Sequence, residues 1–257
     1  MATVITAAVI YPEYALSVLL ALAAGALFPV MQDIRMPRHR RQYILLQIVT
    51  LCGAIVGCKI AVLFGEFGFR WNSGEAGAVF WSGRSILGAL IFGLLAAEIA
   101  KKAIGYPLPP NDRFAALLPF TLAIGRVGCL LHGCCLGTPH EGVCSITYAD
   151  GIPRHPIAAY EIVFELIVGV AFVYMVRKRI ARGNLFSMFL ILYGVFRFAT
   201  EFVRETPKLY WGWLSGYQVL AVIAMMLGTA FIMARSVAAR NDEPSAEMDL
   251  QGAAHVL

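Results

Sequence analysis

AIGRVGCLLHGCCLG, Ala123–Gly137, is the stretch on which the fold turns. It closes an apolar segment that starts near Phe114, carries Arg126 inside that segment, and ends in a burst of cysteine, histidine and glycine. A guanidinium keeps its charge, and a charge within a membrane span is expensive. An intramembrane arginine therefore marks a functional site when a partner for it can be named. Arg197, in LYGVFRFATEFVRE (192–205), poses the same question. The reading depends on whether the two arginines meet.

Composition sets the class. The chain is 59% hydrophobic and 14% charged, against about 25% charged residues in soluble domains, with a mean hydropathy of +0.71. These values describe a polytopic membrane protein. We expect an all-α bundle forming one transmembrane domain over residues 1–240, followed by a polar tail from Asn241 that reads as disordered. The net charge of +5 implies no nucleic-acid partner, because the basic residues cluster in short loops between apolar runs, where they encode topology. The start, MATVITAAVIYPEY, has no basic n-region, so no cleaved signal peptide is expected. Six cysteines in a membrane protein are not a disulfide framework on count alone.

Spans of roughly 20 mostly apolar residues fall at seven places: Tyr14–Ile34, Tyr43–Phe64, Ser85–Ile104, Phe114–Leu131, Pro156–Val176, Leu185–Val203 and Gly216–Ala234. Arg35, Arg38, Arg40 and Arg41 follow the first span, Lys101 and Lys102 the third. Arg177, Lys178, Arg179 and Arg182 follow the fifth, and Arg235 and Arg240 the seventh. All four clusters share one side, which the positive-inside rule makes cytoplasmic. The N-terminus is then outside and the C-terminus cytoplasmic. Arg126, Arg197, Glu201 and Arg204 fall in the outer halves of their spans and Tyr193 nearer the middle, with Arg84 and His155-Pro156 at outer mouths. This predicts a cationic pocket open to the outer leaflet.

Tyr193, Arg197 and Glu201 stand four apart, so they share one helix face, with Arg204 near it. A structural ion pair accounts for Arg197 with Glu201 but leaves Arg84, Arg126 and Arg204 in excess. Excess arginine in a bundle calls for an external anion, and its planar fork suits phosphate oxygens. Gly125 and Gly128 read as helix-packing residues. Gly133 and Gly137, past the helix end, read equally as a loop approaching a headgroup. The cysteines allow three readings: a zinc site built from Cys129, Cys134, Cys135 and Cys144 with His132 and His140, a disulfide from Cys144 to Cys134 or Cys135, or small buried apolar residues, as Cys52 and Cys58 read. His155 caps or snorkels, or titrates at the pocket mouth, with Tyr160 and Glu161 one turn further on.

The segments GRVGCLLHGCCLG, RHPIAAYE, LYGVFRFATEFVRE and GYQVLAVIAMMLG, in this order, resemble the prolipoprotein diacylglyceryl transferases, and the resemblance covers most of the chain. It implies a bacterial inner-membrane enzyme whose active site faces the outer leaflet and moves the diacylglyceryl group of phosphatidylglycerol onto the lipobox cysteine of a prolipoprotein. Glycerol 1-phosphate leaves, and no cofactor is required. The expected partners are phosphatidylglycerol, the prolipoprotein signal peptide and the bilayer itself. On this resemblance Arg126 is the motif arginine, and Tyr193, Arg197, Glu201 and Arg204 form the span-six set. The expected catalytic residues are Arg126, Arg197, Tyr193, Glu201, His155 and His132. Arg84, Arg204, Gly125, Gly128, Gly133, Gly137 and Tyr160 are expected to bind substrate, and no metal ligands are assigned. The family pattern Gly-Arg-x-Gly-Asn-x-x-Asn-Gly-Glu has Cys129, His132 and Cys134 here in place of its asparagines and glutamate, and Leu87 where the family places a histidine. The competing readings are a membrane thiol or metal module, a non-catalytic lipid-binding protein, and transfer to an acceptor other than a lipoprotein.

Overall fold

The computed structural model describes residues 40–66, 83–106, 112–147, 151–208 and 212–254. Six α-helices account for most of them: α1 (Arg40–Glu66), α2 (Ile86–Ile104), α3 (Asp112–His132), α4 (Ile157–Arg177), α5 (Leu185–Thr200) and α6 (Gly216–Ala254). A 3-10 turn, Glu201–Val203, continues α5. Between α3 and α4 lies a two-stranded antiparallel ribbon, β1 (Ile146–Thr147) and β2 (Pro153–Arg154), with Ile146 opposite Arg154.

Five helical segments among the described residues are long and apolar enough to cross a membrane: Arg41–Gly65, Phe114–His132, Ile157–Arg177, Leu185–Val203 and Gly216–Val237. They match five of the seven expected spans within a few residues. The first expected span, Tyr14–Ile34, lies outside the described residues. The third is α2, which is apolar for most of its length but carries Glu98, Lys101 and Lys102 in its last turns. α6 continues as helix to Ala254, through the polar segment from Asn241 where the sequence predicts disorder. The helix is already nucleated there, and propagation adds one hydrogen bond for each residue fixed.

The helices associate in pairs, α1 on α2, α3 on α4 and α5 on α6. Hydrocarbon tails are as apolar as leucine, so close packing rather than the hydrophobic effect holds such pairs together. Small residues sit at each contact. Gly57 and Gly88 press backbone to backbone between α1 and α2, Gly169 lies under the Phe120 ring between α4 and α3, and Gly194 meets the Ala221 carbonyl between α5 and α6. A Cβ on Gly88 would run into the Gly57 carbonyl and the Ala61 methyl. Gly88→Val should therefore force α1 and α2 apart and cost about 1–3 kcal/mol by overpacking, read as a lower melting temperature in detergent.

A common core of Leu87, Leu90, Phe172, Phe189, Leu190, Tyr193, Ala221 and Ala224 joins the pairs. The outward faces are apolar as well: Ile44, Leu51 and Ile55 on α1, Val163, Ile167 and Val170 on α4, and Met226 and Met233 on α6 are all exposed. Such contiguous exposed apolar surface marks a membrane-facing wall.

The two ends of the bundle differ in chemistry. At one end Asp112 accepts hydrogen bonds from the Gly183 and Leu185 backbone N–H groups, capping α5 from the start of α3. Arg235 donates to the Gly183 carbonyl and pairs with Glu98 at 3.6 Å. This end also carries the basic residues Lys101, Lys102, Arg177 and Arg182. Arg126, Arg197 and Glu201 lie toward the other end.

Candidate active site

The C-terminus of α3 builds the site's first wall. Gly133 takes the left-handed conformation (φ 69°) just past the helix. Its N–H bonds the Leu130 carbonyl at 3.3 Å and the Cys134 N–H bonds the Cys129 carbonyl at 3.1 Å. This is the Schellman closure that glycine after a helix favours, so the turn by itself accounts for glycine at 133. The chain then runs extended. The Thr138 N–H bonds the Val203 carbonyl at 2.9 Å, the Glu205 N–H bonds the Leu136 carbonyl at 3.3 Å, and the His155 N–H bonds the Thr138 carbonyl at 3.2 Å. The segment after the helix is thereby laced between the end of α5 and the start of α4. Gly137 is needed in that lacing, since a Cβ there would strike the His155 carbonyl.

These connections bring together what the sequence separates. Arg126, Arg197 and Arg204 line one cavity of about 180 Å3, with Arg84, Tyr193 and Cys135. Leu87, Thr206 and Tyr217 complete much of the wall, which among the described residues contains four arginines and no carboxylate. The acids stand behind it. Glu161, on α4, pairs with Arg126 Nη2 at 2.8 Å and accepts the Tyr193 hydroxyl hydrogen bond at 2.8 Å. Glu201 pairs with Arg197 Nη2 at 3.0 Å, lies 3.9 Å from Arg204 Nε, and accepts from the Ser215 hydroxyl at 3.0 Å. Thr206 also donates to Glu201, and Lys208 Nζ donates to its backbone carbonyl at 2.5 Å. Arg197 lies over the Tyr217 ring at 5.5 Å.

Donor capacity remains. Arg126 Nε and Arg204 Nε and Nη1 are buried without a hydrogen-bond partner among the described residues. Burial, and then the neighbouring Arg197 charge, push Arg204 below the ordinary arginine range. Burial likewise lowers Lys208, partly offset by Glu201. A bound anion relieves both effects, since an opposite charge within a few ångströms favours the cationic form. The wall is built to receive negative charge.

Cys135 also faces the cavity, at φ 62°. Arg126 Nη1 lies 3.4 Å from its sulfur and 3.8 Å from that of Cys129. Hydrogen bonds with the Cys129 and Cys134 thiols, aided by the Arg126 and Arg204 charges, hold the Cys135 thiol below its usual range against the effect of burial.

Other expected site residues fall elsewhere. His132 is the exposed last residue of α3 and is not part of the cavity wall. His155 stacks on His140 at 4.0 Å and its Nδ1 lies 3.1 Å from the Tyr160 hydroxyl, so His155 and Tyr160 form a separate cluster beside the ribbon. Burial and then His140 lower the His155 pKa. Gly128 is buried, while a Cβ on Gly125 would meet nothing within 4 Å. Neither glycine lines the cavity. The six cysteines are all free thiols, Cys144 exposed among them, so of the three cysteine readings the bridge from Cys144 to Cys134 or Cys135 is not formed in this structure. Its spacing from His155 sets Glu161 near the pocket mouth, but nothing in the sequence identifies it as the partner of Arg126. Thr206, Lys208 and Ser215 carry no signal in the sequence, because they meet Glu201 through a turn whose path no spacing rule gives.

Comparison with known proteins agrees with the motifs. A family model described as prolipoprotein diacylglyceryl transferase matches residues 4–234. The phosphatidylglycerol–prolipoprotein diacylglyceryl transferase of Clostridium tetani is 27% identical over 188 residues, covering 70% of this chain and 76% of the relative. That of Bordetella parapertussis is 36% identical over 179 residues, covering 64% and 65%. That of Nitratidesulfovibrio vulgaris is 31% identical over 190 residues, covering 69% and 72%. With its family model spanning nearly the whole chain and its arginines gathered on one cavity, this multi-pass membrane protein belongs to the prolipoprotein diacylglyceryl transferase family.

Proposed function

We propose that this protein transfers the diacylglyceryl group of phosphatidylglycerol to the lipobox cysteine of a prolipoprotein. The observation that carries this reading is the cavity wall with four arginines among the described residues, in which N–H groups of Arg126 and Arg204 are buried without a hydrogen-bond partner among those residues. A space of about 180 Å3 is several times the roughly 30 Å3 that a water molecule takes in liquid, so a phosphodiester fits. Arg126, Arg197 and Arg204 grip the phosphate oxygens, and Arg84 steers the anionic headgroup in from the mouth. The acceptor sulfur attacks the diacylglyceryl CH2 carbon bonded to the phosphate oxygen. The carbon–oxygen bond breaks, and its electron pair leaves with glycerol 1-phosphate. The guanidiniums stabilise the charge developing on that leaving phosphate, while the bundle aligns the thiol for attack.

The acceptor thiol must lose its proton. Leu87 cannot take it, and His132 and His155 are not in the wall. Tyr193 is in the wall, and its hydroxyl donates to Glu161. We assign the proton to this pair: the thiol proton passes to the Tyr193 oxygen as the tyrosine proton passes to Glu161. We also place the cavity at the outer leaflet of the bacterial inner membrane, because the basic loops mark the opposite end of the bundle as cytoplasmic.

The test is incubation of the purified protein with labelled phosphatidylglycerol and a lipobox peptide. Release of glycerol phosphate matched by labelled peptide is expected. Release without peptide labelling would keep the donor and reject the acceptor, and no release would reject the transferase reading.

A further inference from the structure

Cys129 and Cys134 depart from the family motif, and with Cys135 they converge. The three sulfurs lie within 4.8 Å of one another, with Cys134 and Cys135 at 3.9 Å. Main-chain geometry sets this spacing, because the Schellman bond from the Cys134 N–H to the Cys129 carbonyl folds the two residues after Gly133 back onto the last turns of α3.

A zinc–sulfur bond of about 2.3 Å places the sulfurs of a tetrahedral site about 3.8 Å apart. The Cys134–Cys135 edge already has that length, at 3.9 Å. The other edges, at 4.8 Å or less, need to close by no more than about 1 Å to reach the same bond geometry. The group consists of sulfur alone, and soft thiolate ligands select Cu(I) and zinc over hard cations.

The surroundings suit thiolates. Arg126 Nη1 donates toward the Cys135 and Cys129 sulfurs at 3.4 and 3.8 Å, the outer-shell N–H contact that orients metal ligands. The same guanidinium is committed through Nη2 to Glu161 at 2.8 Å, so it cannot balance three thiolates by itself. A cation among the sulfurs does.

We propose that Cys129, Cys134 and Cys135 form a three-sulfur site for a soft d10 cation of the Cu(I) or Zn(II) class, set beside the arginine-lined cavity. Binding does not depend on turnover, so its test stands apart from the transferase reading.

The experiment uses the full chain in detergent, reduced and kept anaerobic. Cd2+ is the spectroscopic probe, read by sulfur-to-metal charge-transfer absorption, and Cu(I) is titrated against a chromophoric chelator. One ion per chain is expected. Cys129→Ser, Cys134→Ser and Cys135→Ser should each weaken binding at least about tenfold, while Cys52→Ser, Cys58→Ser and Cys144→Ser combined should leave it unchanged. Thiol alkylation read by peptide mass needs no variant: Cd2+ should protect Cys129, Cys134 and Cys135 and leave the other three reactive. Protection of other cysteines, undiminished affinity in the cluster variants, or no saturable sulfur absorption from the fully reduced protein would overturn the site.

Discussion

Arg126→Ala and Arg197→Ala each lower diacylglyceryl transfer by about 10²- to 10³-fold or more, the loss expected when one preorganised donor to a developing oxyanion is removed. The two residues approach the cavity from different helices, α3 and α5, and neither can stand in for the other. Arg126→Lys keeps the charge but loses the planar fork that holds Glu161 and two sulfurs and that the proposed mechanism sets on the phosphate, so it should recover only a small part of the rate. A structural cost accompanies the alanine variant, since Glu161 is 1% exposed and left unpaired. Breaking a buried pair from one side costs about 3–5 kcal/mol. The double variant Arg126→Ala/Glu161→Gln isolates the structural cost: it removes the stranded charge and regains stability, yet stays inactive, because it lacks both the guanidinium and the carboxylate assigned to take the proton from Tyr193. Glycerol phosphate release by the double variant at the native rate would remove the arginine clamp from the mechanism.

The helical class and most span positions were legible because lipid imposes length and apolarity on every helix, and composition reports both. Arg197 with Glu201 was legible because a four-residue spacing fixes neighbours on one helix. The meeting of Arg126 with Arg197 was inferred only from loop charges placing both in outer halves, and that inference needs no knowledge of packing. Glu161 as partner of Arg126 was not legible: it requires knowing that α3 packs on α4 and in which rotation. The positions of the histidines were not legible for a related reason. His132 and His155 stand next to motif residues in sequence, but the Schellman turn and the ribbon direct the chain so that Cys135, not either histidine, faces the cavity. A main-chain turn of one residue decides that, and glycine at 133 was its only trace in the sequence.

Glu201→Leu should be the most destabilising single change at this end of the bundle. The carboxylate is fully buried and holds Arg197, Thr206 and Ser215 by its side chain, with Arg204 nearby and Lys208 on its carbonyl. Its loss leaves Arg197, itself only 7% exposed, without its ion-pair carboxylate, at a cost of about 3–5 kcal/mol. For a chain of this size that corresponds to a melting temperature lower by on the order of 10 °C. Glu201→Gln keeps acceptors for Thr206 and Ser215 and should lose less, because only the charge is missing. The deficit in either variant is positive charge without a counter-ion, so an anion that enters the cavity supplies what the carboxylate did. Micelles containing phosphatidylglycerol should therefore restore a large part of the melting temperature of Glu201→Gln, while zwitterionic phosphatidylcholine at equal concentration should not, the gain growing with ligand concentration as expected for binding to the folded state alone. Equal recovery by both lipids would mean that the arginines answer to the bilayer in general rather than to an anionic headgroup.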